Sequence, residues 1–127
     1  MEKTEKKTIR LGVCEGRHNM PVDGYIFKKI EDPTDVETLQ EIAEAYFSKL
    51  WEELPHKDCY YPDEWGNDHI TEKIDGKVEI YATGLTVAVI EAIKAALYYY
   101  SYYDVVIMHY DSVKGNYYPQ KMNLIIH

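Results

Sequence analysis

From Thr8 to Glu15 the chain alternates, with Ile9, Leu11 and Val13 on one side and Arg10, Gly12 and Cys14 on the other. That period of two marks a half-buried strand. The turn-rich segment GRHNMPVDG, residues 16–24, comes next, and Tyr25 to Ile30 resumes strand composition, expected to pair with the first strand. Beyond Asp32 the period changes to that of a helix: Val36, Leu39, Ile42, Ala43, Phe47, Leu50 and Leu54 recur on one face, opposite Glu37, Glu41, Glu44, Glu52 and Glu53. Thr34, with Glu37 three residues on, reads as its capping box, and Pro55 as its stop.

His56 to His69, HKDCYYPDEWGNDH, shows no periodicity and is predicted as a loop whose Tyr60, Tyr61 and Trp65 form a lid or a subunit contact. Ile70–Ile74 and Lys77–Thr83 flank Asp75-Gly76, the signature of a two-residue hairpin turn. The stretch Lys77 to Asp111 organises the rest. It reads as a strand, a turn at Thr83-Gly84-Leu85-Thr86, a helix from about Thr86 to Tyr103 that is apolar nearly all round, and a strand over Asp104–Asp111. Ser112 to Gly115 turn the chain into a last strand, Asn116 to Ile126. The expected fold is α+β or α/β, a single mixed β-sheet with two main helices in the order β-β-α-β-β-α-β-β. Residues 1–7 are predicted as a tail and 8–127 as one domain.

Composition narrows the class. At 127 residues, 46% hydrophobic and 28% charged, the chain suits one globular domain. Glu91, Lys94 and Ser101 interrupt the best apolar run, which stays below the ~20 residues that span a bilayer. The charged start MEKTEKK matches neither a secretory signal nor a transit peptide, and Cys14 and Cys59 fit a reducing cytoplasm better than a disulfide framework. A net charge of -8 repels polyanions and argues against duplex nucleic acid as a partner. The 13 tyrosines point either to interfaces or stacking platforms or to a tyrosine-rich core and ordinary strand faces. Tyr98 to Tyr103 place rings in several directions around a helix axis, and this segment is expected to be partly buried between subunits.

Candidate chemistry follows from topology. A strand that leaves through a glycine into a helix aims unpaired N–H groups at one point, which favours an anion at Thr83, Gly84, Leu85 and Thr86. If the strands on either side of that helix are parallel, their carboxyl ends bring this turn beside His109, Tyr110 and Asp111. Tyr117, Tyr118, Gln120 and Lys121 are near on the returning strand, and Arg17 with His18 lie just beyond the first strand. The set suits a nucleotide or another phosphorylated small molecule. His109 with Asp111, or Glu15 with His18, would make an acid/base pair, but no nucleophile motif accompanies either, so a non-catalytic binder is expected. His56, Cys59 and His69 lack the paired spacing and fourth ligand of a zinc site, and neither metal nor cofactor is expected.

Three blocks, the first strand with CEGRHNMPVDGYIF, the segment IYATGLTVAVIEAI and the closing MHYDSVKGNYYPQ, resemble small phage-encoded proteins, the anti-Thoeris sponges that sequester cyclic ADP-ribose signals. The resemblance implies a homo-oligomer, dimeric or larger, in the cytoplasm of an infected bacterial cell, binding a cyclic nucleotide without cleaving it. It also implies an aromatic side chain on the adenine and basic side chains on the phosphates, with Gly84-Leu85-Thr86 and His109 to Lys114 lining the pocket. Ser112 stands where that pattern has an arginine, and Leu85 where it has an aromatic ring. Either Arg17, Lys114 and Lys121 then supply the charge and the tyrosines the stacking, or the chain binds a different nucleotide or none. Two other classes fit the same residues: a protein-binding inhibitor of a defence effector, anti-CRISPR-like, with an acidic surface, and a small nuclease that degrades such signals.

Overall fold

The computed structural model describes residues 7–16 and 20–123. They form strands β1 (Thr8–Cys14) and β2 (Gly24–Phe27), helix α1 (Val36–Glu53), strands β3 (His56–Pro62), β4 (Asp68–Ile74) and β5 (Lys77–Tyr81), helix α2 (Thr86–Tyr99), a 3-10 turn at Tyr102–Asp104, and strands β6 (Val105–Asp111) and β7 (Asn116–Lys121). The fold is α+β: two helices, a five-stranded mixed sheet in the order β2-β1-β5-β6-β7, and a separate antiparallel ribbon of β3 and β4. Within the large sheet β2, β1, β5 and β6 are parallel and β7 is antiparallel.

A strand buried on both faces belongs in the middle of a sheet, and β5 is such a strand, with Val78, Ile80 and Tyr81 all buried. Ile9 and Leu11 of β1 sit opposite Val78 and Ile80, which in turn sit opposite Val105 and Ile107 of β6. The apolar row so formed is covered by α1, through Leu39, Ala43 and Phe47, and by α2, through Ala88, Ala92 and Ala96. Both helices therefore lie on one face. The register places Arg10, Gly12, Glu79, Tyr81, Met108, Tyr110 and Tyr117 on the other. There Arg10 pairs with Glu79 at 3.2 Å, and Tyr117 meets the rings of Tyr81 and Tyr110 edge-on at 4.9 and 5.1 Å. Gly12 is fixed by close approach: a Cβ there would come within 2.6 Å of the Tyr25 ring.

The expected single sheet is in fact two. Residues 56–69 are not a loop but β3, a tight turn and the start of β4, and β4 pairs with β3 instead of β5. Asp63 builds the turn by accepting from the backbone N–H groups of Trp65 (2.9 Å) and Asn67 (2.8 Å). Asp75-Gly76 consequently joins two sheets and closes no hairpin. Gly76, at φ +147°, passes so close to β1 that a Cβ would lie 2.6 Å from the Lys7 carbonyl oxygen. The helix cap also differs from expectation, because Asp32 takes the Thr34 hydroxyl at 2.6 Å. Asp35 caps α1 instead, accepting from the Thr38 backbone N–H at 3.2 Å. β7 ends at Lys121, and residues 124–126 of the expected last strand lie outside the described residues. Pro119, with no N–H to give, occupies this outermost strand opposite Met108. No helix among the described residues is long and apolar enough to cross a membrane.

The second helix stops at Tyr99, four residues short of the expected end, and its tyrosines divide. Tyr98, Tyr102 and Tyr103 are exposed, while Tyr100 turns into the core and meets Phe47 edge-on at 6.3 Å. Burial, then the charge of Asp104, pushes the Tyr100 phenol up to about 12 from an ordinary value of 10.0. The phenol is neutral while protonated, so this contribution to stability is intact below pH 10 and is lost as pH rises through 12. Over that window Tyr100→Phe is expected to lose about 2 kcal/mol less stability than the native chain, read from denaturant midpoints at stepped pH.

Candidate ligand site

The chain order reverses between β1 and β5, and ligands of open parallel sheets collect outside the carboxyl ends of strands near such a reversal. At that rim β5 gives way to Ala82, Thr83 and Gly84 before α2 begins, while β6 ends beside the β6–β7 turn. Thr83, Gly84, His109, Tyr110 and Tyr118 line one hollow of about 280 Å³, together with Ala82 and Tyr117. The turn and the histidine-tyrosine pair expected to meet do meet. An adjoining hollow of about 460 Å³ shares Tyr117 and Tyr118 and adds Asp111, Lys114, Asn116 and Pro119.

Other expected residues take different places. Leu85 and Thr86 line neither hollow: Leu85 packs against the core as the residue before α2, and Thr86 opens the helix. Lys121 sits opposite Val106, at the far end of β6 from the rim. Arg17 and His18 lie outside the described residues. Tyr117, also expected there, joins the site, set opposite Tyr110 by the antiparallel register.

The polar groups at the rim have distinct tasks. His109 stacks on Tyr118 at 5.4 Å and 30°, and its Nε2 meets Gln120 Oε1 at 2.7 Å. Asp111 Oδ1 accepts from the backbone N–H groups of Val113 (2.9 Å) and Lys114 (3.2 Å), which shapes the turn that Gly115 closes at φ +71°. The two side chains thus do not form the acid/base pair that their spacing permits. Burial, and after it the neighbouring Tyr110 and Tyr25, raises the Tyr117 phenol above its ordinary value, so the hydroxyl stays protonated as a potential donor.

Two features make this rim suited to a polar ligand. Leu85 precedes α2 without a side-chain cap, so no side chain of that residue satisfies the first-turn N–H groups. The Thr83 hydroxyl, beside them, is buried and has no hydrogen-bond partner among the described residues. An unmatched buried hydroxyl costs about 1–3 kcal/mol unless something meets it.

The histidines and thiol of the ribbon do not converge as a metal site. His56 and Cys59 leave opposite faces of β3. His56 stacks on Trp51 at 3.6 Å and bonds Glu72 and the Trp51 carbonyl oxygen, while His69 bonds Asp63 at 2.8 Å and holds that carboxyl below the usual range.

Fold and rim together define a small α+β protein with helices on one face of its sheet and a tyrosine-walled hollow at the carboxyl ends of its strands. Comparison with family models, with curated proteins and with solved structures gives no match.

Replacing Thr83 by Val removes the unmatched hydroxyl at nearly constant shape. Thermal unfolding of ligand-free protein is expected to show stability unchanged or raised by up to about 1 kcal/mol, whereas a hydroxyl satisfied within the protein itself would make the substitution clearly destabilising.

Proposed function

We propose that this protein binds a cyclic nucleotide signal of the cyclic ADP-ribose type at the rim and holds it uncleaved, in the cytoplasm of an infected bacterial cell, as its resemblance to the anti-Thoeris sponges implies. The observation that carries the reading is the Thr83 hydroxyl, buried without a partner next to an uncapped helix entrance. Thr83 and Gly84 line the hollow, so a ligand phosphate there would lie against the turn that leads into the helix. Tyr118, half exposed and backed by His109, offers a face for the adenine, and Lys114 at the edge supplies positive charge. The adjoining hollows have the size of small-ligand sites, roughly 300–1,000 Å³. Sequestration is favoured over cleavage because His109 and Asp111 are each engaged elsewhere, by Gln120 and by the turn.

The reading includes self-association. Tyr98, exposed beside Tyr99 at the end of α2, is the contact we assign to it. Light scattering is expected to show a dimer or larger species that Tyr98→Ser weakens; a strict monomer at high concentration would remove this part.

The nucleotide part is tested by incubating the chain with cyclic ADP-ribose isomers and cyclic oligonucleotides, removing unbound material, heating, and identifying what is released. Intact nucleotide is expected, with affinity falling roughly tenfold or more in Tyr118→Ala. Altered nucleotide would mean an enzyme. Retention of none would leave the protein-binding inhibitor.

A further inference from the structure

Helix α2 is exposed at Thr86, Val87, Ile90, Lys94 and Tyr98. From Val87 on, these residues recur at intervals of three and four, so they share one face, opposite the buried Ala88, Ala92 and Ala96. Val87 is 38%, Ile90 48% and Tyr98 72% exposed, and Lys94 is the only charged residue among them. The outer face of α1 shows what solvent asks of such a surface: Glu37, Glu41, Glu44, Glu52 and Glu53 are all exposed there. On a chain of net charge -8, an apolar stripe along a helix of 14 residues is poorly suited to water and has the character of a contact surface.

The charges on this face select what covers it. Lys94 Nζ donates to both carboxylate oxygens of Glu91, at 3.0 and 3.1 Å, and Glu91, only 4% exposed, has no other cation among the described residues. Glu44 lines the same hollow as Glu91, Lys94 and Tyr98. Two carboxylates therefore stand around one ammonium, which keeps a third proton to donate. A second copy of this chain supplies the missing cation. With the two α2 helices parallel, or antiparallel and centred on Lys94, ammonium would meet ammonium. Antiparallel and centred between Ala92 and Ile93, they set Lys94 opposite the partner's Glu91 and the Tyr98 ring opposite the partner's Val87. A two-fold axis makes each of those contacts twice. A membrane surface fits less well, because an anionic leaflet would meet a single lysine on a protein of net charge -8.

We propose that the outer face of α2 is the contact between two copies of this chain, packed helix on helix, antiparallel, about a two-fold axis. The inference rests on the self-association assigned to Tyr98 and gives it a full surface and a geometry, and it uses no residue of the rim. A pair of 14-residue helices makes a small interface, so the dimer is expected to come apart on dilution.

The test uses the full chain in sedimentation velocity over a dilution series. A dimer is expected, and Ile90→Glu, which adds a carboxylate at an exposed position, is expected to raise its dissociation constant at least roughly tenfold. Circular dichroism checks the fold of that variant. The geometry is read by cross-linking in a Cys59→Ser background, since the other thiol, Cys14, is buried. Val87→Cys and Tyr98→Cys chains are expected to form a disulfide when mixed at high concentration and oxidised, and neither to form one alone. Self-linking of either chain, or no link in the mixture, would overturn the antiparallel pairing, and this holds if Ile90→Glu fails to fold. A dimer that Ile90→Glu leaves intact would overturn the inference and assign self-association to another surface, whereas a strict monomer at high concentration would overturn both. Capture of the chain by phosphatidylserine vesicles, lost in Ile90→Glu, would overturn it by making the face a membrane contact.

Discussion

The double burial of β5 is the constraint on which the rest of this structure depends. A strand with apolar or aromatic side chains on both faces has to be flanked on both edges, and β1 and β6 are its flanks. Parallel pairing on each side forces the connections to cross over, and the helices that make those crossings arrive on the same face. The carboxyl ends of the strands are then left together at one rim. The rim hollow is a by-product of how β5 is buried.

The ribbon is an excursion within the crossover from α1 to β5. It adds little to the core beyond Ile74, which is fully buried at its base, and it is fastened to α2 by charge and by helix-end carbonyls more than by apolar packing. Lys73 is half-sheltered there, and that desolvation lowers its pKa. The ribbon and the end of α2 are therefore positioned jointly, through polar contacts whose strength depends on the exclusion of water.

Much of this was legible in the chain. The alternation Ile9-Leu11-Val13, the acidic outer face of α1 and the apolar α2 each follow a clear period, and a strand-turn-helix-strand order brings Gly84 near His109 once the strands are parallel. The ribbon was not legible, because its alternation is carried by Lys57, Cys59 and Tyr61, whose side chains are only partly apolar, against His56, Asp58 and Tyr60. Asp75-Gly76 misled for a different reason. A turn signal reports local dihedrals and is silent about which strand the following residues pair with. The capping role moved from Thr34 to Asp35 through the carboxylate of Asp32, a neighbour that competes for the same hydroxyl.

Pro119 has a consequence for how this molecule meets others. A sheet that ends in a long, regular strand invites another chain to zip onto it, and the outcome is uncontrolled growth. Here one border is interrupted by a residue unable to donate from its backbone, and the opposite border, β2, is only four residues long. Main-chain zipping is closed off at both margins of the large sheet. At those margins contact with other molecules is left to side chains, whose rings and hydroxyls substitution can retune without disturbing the fold.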